Sequence, residues 1–255
     1  MRHLSKGPGW VLELGPGPGR FTPTVLASGA RVVAVDLSRP MLLALGRRQR
    51  FPSASFRLRR VRGAGEHLPF RPGAFRAAVV YGNILGFSAG GGDQLLAELA
   101  RVVAPGGVLI LDVSSPVAAI TEFFSAAARR RFLLRILRDP EYYLFSVHTN
   151  LRDRSHQPYA PERMATWEFD FYTVAGAESA LTDAGFRPID RMAVGAIGAF
   201  RDRIAAIAHR EGAAWKNLLE IEEVVGRRPG ALETGHGFVM AAVRSSRRRR
   251  TRPKA

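Results

Sequence analysis

Residues with ligand-binding chemistry lie close together between positions 10 and 36. Glu13 follows a short apolar run, and Asp36 closes a second one. Between them, Gly15, Gly17 and Gly19 alternate with prolines in a turn. Glycine lets a backbone approach a ligand closely, and one carboxylate can accept hydrogen bonds from both hydroxyls of a ribose. The pattern therefore predicts a site for a cofactor that contains a nucleoside.

These residues need a scaffold of strand, loop, helix and strand to bring them together. Residues 10–12 and 31–35 are apolar runs typical of buried strands, and residues 21–28 can form the helix between them. A parallel βαβ unit places the loop and the end of the second strand at the same edge of a sheet. Ligands of open parallel sheets bind at that edge.

The glycine spacing distinguishes between two kinds of cofactor. A dinucleotide fingerprint requires G-x-G-x-x-G, but its sixth position is Arg20 in this chain. The spacing is instead G-x-G-x-G, and Glu13 stands two residues before the first glycine. The segment ELGPGPG resembles motif I of the class I S-adenosylmethionine-dependent methyltransferases. A tight turn that binds nothing is the alternative interpretation of the glycines alone.

The resemblance implies roles for the residues of this loop. Glu13 is expected to help hold the loop and the methionine end of S-adenosyl-L-methionine, and Asp36 to bind both ribose hydroxyls. The loop residues expected to lie along this cofactor are Gly15, Pro16, Gly17 and Gly19.

Two further segments resemble the adenine-binding parts of the same family. DLSRPML resembles the sequence after the ribose acid, and it implies that Leu37 and Met41 pack around the adenine, although a core-facing helix residue is the other interpretation of Met41. GAGEHLPF resembles the family's G-D-A-x-x-L-P-F loop, and it implies backbone contacts from Ala64 and Gly65 to the adenine edge. The family's aspartate is replaced by Ala64, so this carboxylate contact is lost, and Glu66 or His67 is a candidate substitute.

The next buried strand, residues 77–81, leads to Asn83, which can donate and accept hydrogen bonds. We expect Asn83 to reach the methionine moiety of the cofactor or the incoming nucleophile. An amphipathic helix over 92–103 and the segment ARVVAPGGVLILDV follow, and the latter also resembles class I methyltransferases. The implied fold is an α/β, Rossmann-like, doubly wound sheet of seven mostly parallel strands. Its order is 3-2-1-4-5-7-6, and a cap insertion follows strand 5.

We predict one methyltransferase domain over residues 1–244. Within it, residues 114–172 form the cap and substrate insertion, and residues 198–228 form a second cap element. Residues 245–255 are expected to be a basic, disordered tail. His148 and His156 lack metal-ligand spacing and clustered acids, so we predict no metal. No general base is evident: His67 is one candidate, and a histidine at the rim of the pocket is the plainer interpretation of that residue.

The composition of the chain indicates which partners and which cellular location to expect. Its net charge is +16, with arginine-rich segments at 47–62, 129–138 and 244–254 that can attract RNA or an anionic surface. Only three of the 38 lysines and arginines are lysines, so a compositional bias toward arginine is the competing explanation for this charge. The chain has no cysteine and no run of about 18 uncharged apolar residues, and its first ten residues lack the apolar h-region that a signal peptide needs. We therefore predict a cytoplasmic protein without a membrane span.

The predicted activity is direct, in-line methyl transfer from S-adenosylmethionine to a small-molecule substrate. Aromatic residues of the 114–172 insertion suit such a substrate, although they also suit ordinary packing. Two alternatives from other classes stay open. One is an RNA-modifying methyltransferase that uses the arginine-rich segments, and the other is a cofactor-binding protein without catalysis or an NAD-linked oxidoreductase.

Overall fold

The computed structural model describes residues 2–48, 56–88, 91–115, 172–196 and 212–246. Strands and helices alternate through the first half of the chain, as the sequence predicts for an α/β fold. In chain order the elements are β1 (Trp10–Leu14), α1 (Thr22–Ala27), β2 (Arg31–Asp36), α2 (Arg39–Arg48), β3 (Leu58–Arg62), β4 (Phe75–Val80), α3 (Ile84–Phe87), α4 (Gly92–Val102), β5 (Val103–Ser114), α5 (Val174–Asp183), β6 (Phe186–Val194), α6 (Gly212–Gly226), α7 (Pro229–Thr234) and β7 (Gly237–Arg244).

The strands form one seven-stranded sheet in the order β3-β2-β1-β4-β5-β7-β6, which confirms the predicted fold. β1 pairs in parallel with β2 on one side and with β4 on the other. Leu14, at the end of β1, lies opposite Val35 and Val80. Because the three strands end at the same level, the segments that follow them are neighbours at one edge of the sheet.

The central strands are apolar because both of their faces are covered. Val11, Leu12, Val32 and Val79 are fully buried, as expected for inner strands of a parallel sheet. β3 forms one edge of the sheet and differs in composition: Arg59, Arg60 and Arg62 are exposed. Phe56 and Arg57 form a turn before β3 begins at Leu58.

Two helix ends carry capping residues. Ser38 precedes α2, and its Oγ accepts a hydrogen bond from the amide of Met41 at 3.4 Å, which is N-cap geometry. Gly185 ends the segment after α5 with φ of +89°, and its amide donates to the carbonyl of Thr182. A glycine is favoured there because other residues rarely adopt this left-handed backbone conformation.

The helix predicted over 92–103 ends one residue early. Leu95, Leu96, Leu99 and Val102 are buried, whereas Val103 has extended dihedral angles (φ −78°, ψ 133°) and lies opposite Phe75 in the sheet. The following segment is a bulge, since Phe75 pairs with Val103 but Ala77 pairs with Val108. β5 therefore starts before the APGG segment, which is looped out of the strand ladder.

The chain divides into two compact units. The first contains Met1–Asp112, Glu178–Asp190 and Met240–Ala255, and the second contains Val113–Ala177 and Arg191–Val239. In the second unit, Glu222 of α6 accepts a hydrogen bond from the amide of Ala196 at 2.7 Å. The predicted second cap element, residues 198–228, is described only from residue 212 onward, where α6 begins.

Several expectations fall outside the described residues. They include nearly all of the 114–172 insertion, the arginine-rich segment 129–138, His148 and His156, and the tail from residue 247. In the described part of the chain, no helix is both long and apolar enough to cross a membrane. The cytoplasmic location stays a prediction.

Candidate active site

The glycine loop after β1 turns tightly beside the end of β2. Gly15, Gly17 and Gly19 all have positive φ, at +65°, +53° and +90°. The amide of Gly15 donates to the carbonyl of Val35 at 2.8 Å, and the amide of Gly19 donates to the carbonyl of Pro16 at 3.0 Å. The first bond ties the start of the loop to β2, and the second closes the loop on itself. Left-handed backbone at three alternate positions explains why the sequence places glycine at each of them.

Asp36 joins the loop to the start of α2. Its Oδ2 accepts a hydrogen bond from the amide of Gly17 at 3.1 Å, and its Oδ1 accepts one from the amide of Ser38 at 2.8 Å. The side chain is half-buried. An ionised carboxylate can accept about four hydrogen bonds, so each oxygen retains capacity for one further donor. A ribose diol supplies two such donors.

Glu13 lies behind the loop with little access to solvent. Its side chain is 3% exposed, and its Oε2 accepts a hydrogen bond from the hydroxyl of Thr22 at 2.7 Å. Burial raises the pKa of Glu13 to about 7, although the Thr22 hydrogen bond acts in the opposite direction. Glu13 therefore changes charge near neutral pH. Thr22, the first residue of α1, is the partner that the sequence reasoning missed.

Apolar side chains next to Asp36 are open to solvent. Leu37 is 67% exposed and Met41 is 43% exposed. The core-facing interpretation of Met41 is wrong, because Leu42 and Leu45 are the residues of α2 that are buried. An exposed apolar surface beside Asp36 suits the flat, weakly polar face of an aromatic base.

The loop after β3 approaches the same place. The amide of Gly63 donates to the backbone carbonyl of Asp36 at 3.2 Å. Ala64 is half-buried and Gly65 is buried. A Cβ on Gly65 would come within 2.5 Å of Leu95 Cδ1 and 2.9 Å of Leu14 Cδ2, so packing leaves no space for a side chain. The two candidate substitutes for the missing aspartate differ: Glu66 is half-buried, whereas His67 is exposed with its ring nitrogens 3.4 Å from Gln94 Nε2.

Asn83, at the end of β4, adopts a strained backbone conformation. Its φ of +56° and ψ of +33° are left-handed, and it is the one residue other than glycine with positive φ in the described part of the chain. The side chain is 8% exposed. The amides of Asn83 and Gly82 both donate to Asp112 Oδ1, at 3.0 and 2.7 Å. Asp112 thereby fixes the turn that carries Asn83, and strain of this kind concentrates at functional sites.

Sequence reasoning missed Asp112 and the aromatic pair beside it. The rings of Phe21 and Tyr81 stack with centroids 4.3 Å apart and an interplanar angle of 28°. The guanidinium of Arg20 lies over Phe21, with its Cζ 5.4 Å from the ring centroid. A signal for Asp112 was present, because it follows an apolar run in the sequence as Asp36 does. The stack joins residues from two distant segments, and no local pattern indicates it.

Comparison with known proteins agrees with this geometry. Residues 11–107 match the family model for a methyltransferase domain. An S-adenosylmethionine-dependent methyltransferase of Mesorhizobium loti superposes with a TM-score of 0.57 at 17% identity over 95% of each chain, which supports the fold. A demethylmenaquinone methyltransferase of Mycolicibacterium gilvum is 39% identical over 110 residues, and this alignment spans 42% of each chain. The demethylmenaquinone methyltransferase of Corynebacterium urealyticum is 33% identical over 204 residues, which are 74% of this chain and 81% of that relative.

The chain belongs to the class I S-adenosylmethionine-dependent methyltransferases. Its cofactor is therefore S-adenosyl-L-methionine, and the dinucleotide alternative loses its support.

Two glycine backbones at the strand ends have no other atoms packed against them. A Cβ built on Gly17 or on Gly82 would meet no atom within 4 Å, so both backbones border open space at the strand ends. The described residues thus offer an acid for a diol, an apolar surface for a base and open backbone between them. Among the described residues no group of three or more histidine, cysteine or acidic side chains could hold a metal ion. The predicted lack of a metal stays a prediction.

Proposed function

We propose that this methyltransferase acts on a small molecule. The observation that carries the proposal is the length of the alignment with the Corynebacterium urealyticum relative. It covers 204 residues, well beyond the methyltransferase-domain match at residues 11–107. The similarity therefore includes parts of the chain outside that match. Demethylmenaquinone is accordingly the first acceptor to test.

The proposed cofactor contacts follow the order of the elements along the sheet edge. Asp36 accepts hydrogen bonds from the two ribose hydroxyls with the acceptor positions left by Gly17 and Ser38. Leu37 and Met41 contact one face of the adenine. The backbones of Ala64 and Gly65 bond to the edge of the adenine ring.

The methionine end is proposed to lie along the loop toward β4. Glu13 supports the loop from behind, and Asn83 reaches the methionine moiety or the acceptor. Pro16 and Gly19 are buried parts of the loop and hold its shape through the bond between them. Gly15 is packed as well, because a Cβ there would come within 2.3 Å of Ile84 Cδ1. Gly17 is the loop glycine that borders open space.

S-adenosylmethionine supplies a methyl group that its positive sulfur already activates. The chain then has to hold the acceptor in line with the methyl–sulfur bond and keep water away. We propose that the second compact unit, which includes the insertion after β5, carries the residues that select the acceptor. We also propose that residues 1–244 work as one methyltransferase domain, as the sequence predicts.

Two experiments test the proposal. Calorimetric titration with S-adenosylmethionine, S-adenosylhomocysteine and NAD should give binding heat for the first two and none for NAD; the opposite result contradicts the cofactor site. Transfer of a labelled methyl group should then be measured with demethylmenaquinone and with total RNA as acceptors. Label in the quinone fraction supports the proposal. Label in RNA, with RNA affinity that falls steeply as salt rises, favours the RNA-modifying alternative instead.

A further inference from the structure

Asp112 lies near the carboxyl ends of the strands. One of its carboxylate oxygens accepts backbone hydrogen bonds, and the other is available to a ligand. Its Oδ1 accepts both backbone hydrogen bonds from the turn after β4, from Gly82 and Asn83. The backbone amide of Asp112 also bonds to this carboxylate, and no other described residue donates a hydrogen bond to Oδ2. The side chain is half-buried, so solvent and ligands can reach it. The first oxygen has a structural task, and the second can take a proton.

The surroundings of Asp112 hold few charges. Burial raises its pKa, while the amides of Asn83 and Gly82 and the charge of Arg20 lower it. The Tyr81 hydroxyl is the other titratable group nearby, and burial raises its pKa to about 12, with the charge of Asp112 adding to this shift. Tyr81 therefore stays protonated at neutral pH. Arg20 is exposed and reaches Asp112 through its charge.

The other titratable groups near the loop are less suited to accept a proton from an acceptor. Glu13 is almost fully buried behind the loop and bonded to Thr22. Both oxygens of Asp36 accept backbone amides, and their remaining positions belong to the proposed ribose contacts. His67 is exposed on the loop that follows β3. Asp112 instead lies near the end of β5, shortly before the insertion that we propose selects the acceptor.

We propose that Asp112 is the general base of the methyl transfer and takes a hydroxyl proton from the reduced, quinol form of demethylmenaquinone. This inference rests on the proposed function. As the hydroxyl proton moves to Asp112 Oδ2, a ring carbon of the quinol forms a bond to the methyl carbon, and the methyl–sulfur bond breaks with its electron pair left on sulfur. The methylated ring carbon then loses its hydrogen as a proton and the ring oxygen regains one, so one proton is released to water overall. S-adenosylhomocysteine and the methylated acceptor are the products.

Asp112→Asn is the deciding variant, because an amide oxygen can still accept the two backbone hydrogen bonds. We expect its S-adenosylmethionine affinity, measured by calorimetry, to stay within about twofold of the parent. With the quinol form of demethylmenaquinone as acceptor, kcat should fall about 100-fold or more, and the rising limb of its pH profile should disappear. Asp183→Asn, at an exposed carboxylate at the end of α5, is the matched control and should keep the parent profile.

Three outcomes overturn the proposal. They are a rising limb unchanged in Asp112→Asn, a kcat within about threefold of the parent, or a loss of cofactor affinity that accounts for the whole defect. An acceptor-independent measurement follows the carboxyl carbon of Asp112 by NMR in protein labelled at aspartate, with Asp112→Asn assigning the signal. Its midpoint should lie above the ordinary value of 3.8, and a midpoint at or below that value rejects the base. Failure of the parent chain to bind S-adenosylmethionine would instead contradict the proposed function.

Discussion

The hydroxyl of Thr22 donates a hydrogen bond to Glu13 Oε2 at 2.7 Å, and both side chains are shielded from solvent. The bond links the end of β1 to the first residue of α1, across the glycine loop. The geometry of the loop therefore depends on a pair of residues that stand on either side of it in the sequence.

Removing this hydroxyl should destabilise the chain. Thr22→Val keeps the shape of the side chain but leaves a buried carboxyl oxygen without its donor, so the free energy of unfolding should fall by about 1–3 kcal/mol. Urea unfolding measures the change. Thr22→Ser, which retains the hydroxyl, should recover most of the loss. A Thr22→Val variant as stable as the parent, with the loss in Thr22→Ser instead, would show that the methyl group, not the hydrogen bond, stabilises this region.

The raised pKa of Glu13 predicts a pH dependence of stability. The carboxyl keeps its proton up to about pH 7 in the folded chain, whereas its ordinary value is 4.5. The folded state holds a proton that the unfolded state releases between these values, so its stabilising effect is full below about pH 4.5 and lost as pH rises to about 7. Over this window the contribution of Glu13 should fall by roughly 3 kcal/mol.

The difference between the parent and Glu13→Gln isolates this contribution, since glutamine cannot titrate and can still accept the Thr22 hydrogen bond. Urea unfolding without cofactor should show the parent losing stability relative to Glu13→Gln as pH rises from 4.5 to 7. A difference that is constant with pH, or one that grows in the other direction, contradicts the raised pKa.

Asp36→Ala should weaken S-adenosylmethionine binding about 100-fold or more. The substitution removes the proposed ribose contacts and the acceptor for the amide of Gly17, and each hydrogen bond to a charged group is worth about 1.5–3 kcal/mol. Calorimetry measures the dissociation constant, and the exposed carboxylate variant Asp183→Asn should bind as the parent does. Unchanged affinity in Asp36→Ala would show that the cofactor binds elsewhere.

Ala64→Asp should bind the cofactor as well as the parent or up to about tenfold more tightly. The substitution restores the carboxylate that the resembling loop carries at this position, where it can accept a hydrogen bond from the exocyclic amine of adenine. Ala64→Asn separates the added charge from the added acceptor. A loss of affinity in Ala64→Asp, measured by the same calorimetric titration, would place the adenine away from the loop after β3.

Two glycines of the loop should respond differently to alanine. Gly17 has a φ of +53°, but a methyl group at this position would lie in open space. Gly17→Ala should therefore fold, with the free energy of unfolding lower by about 1–2 kcal/mol. Gly15→Ala adds a clash with Ile84 to the same backbone strain and should cost more stability. If S-adenosylmethionine fills the open space, Gly17→Ala should fold yet lose affinity by about tenfold or more. Parent-like binding by this variant contradicts the proposed path of the cofactor.

Local sequence patterns predicted the first half of the fold well. β1, the glycine loop, β2 and Asp36 follow from apolar runs and punctuating glycines, which act over a few residues. The predicted end of α4 was wrong. Val103 fits the apolar face of a helix in the sequence, but its pairing with Phe75 makes it a strand residue. Register across a sheet is a tertiary property, and a single apolar position cannot reveal it.

The same distinction separates the site residues that were predicted from those that were missed. Asp36 was identified from its place in a motif, whereas Thr22 and Tyr81 gain meaning from partners that only the folded chain brings close. Asp112 follows an apolar run in the sequence, but its task depends on the amides of Gly82 and Asn83 from another strand. Their left-handed turn is visible in φ angles and not in residue types.

The edge strand β3 bears on how separate copies of the chain meet. An unpaired edge offers backbone donors and acceptors to any other strand, and it is a common start of aggregation. Here a second copy would have to bring its own Arg59, Arg60 and Arg62 against the same three residues. Mutual repulsion opposes that contact at low salt, and screening weakens it as ionic strength rises. The arginines of β3 thus oppose edge-to-edge pairing between copies of the chain, and this repulsion weakens as the salt concentration rises.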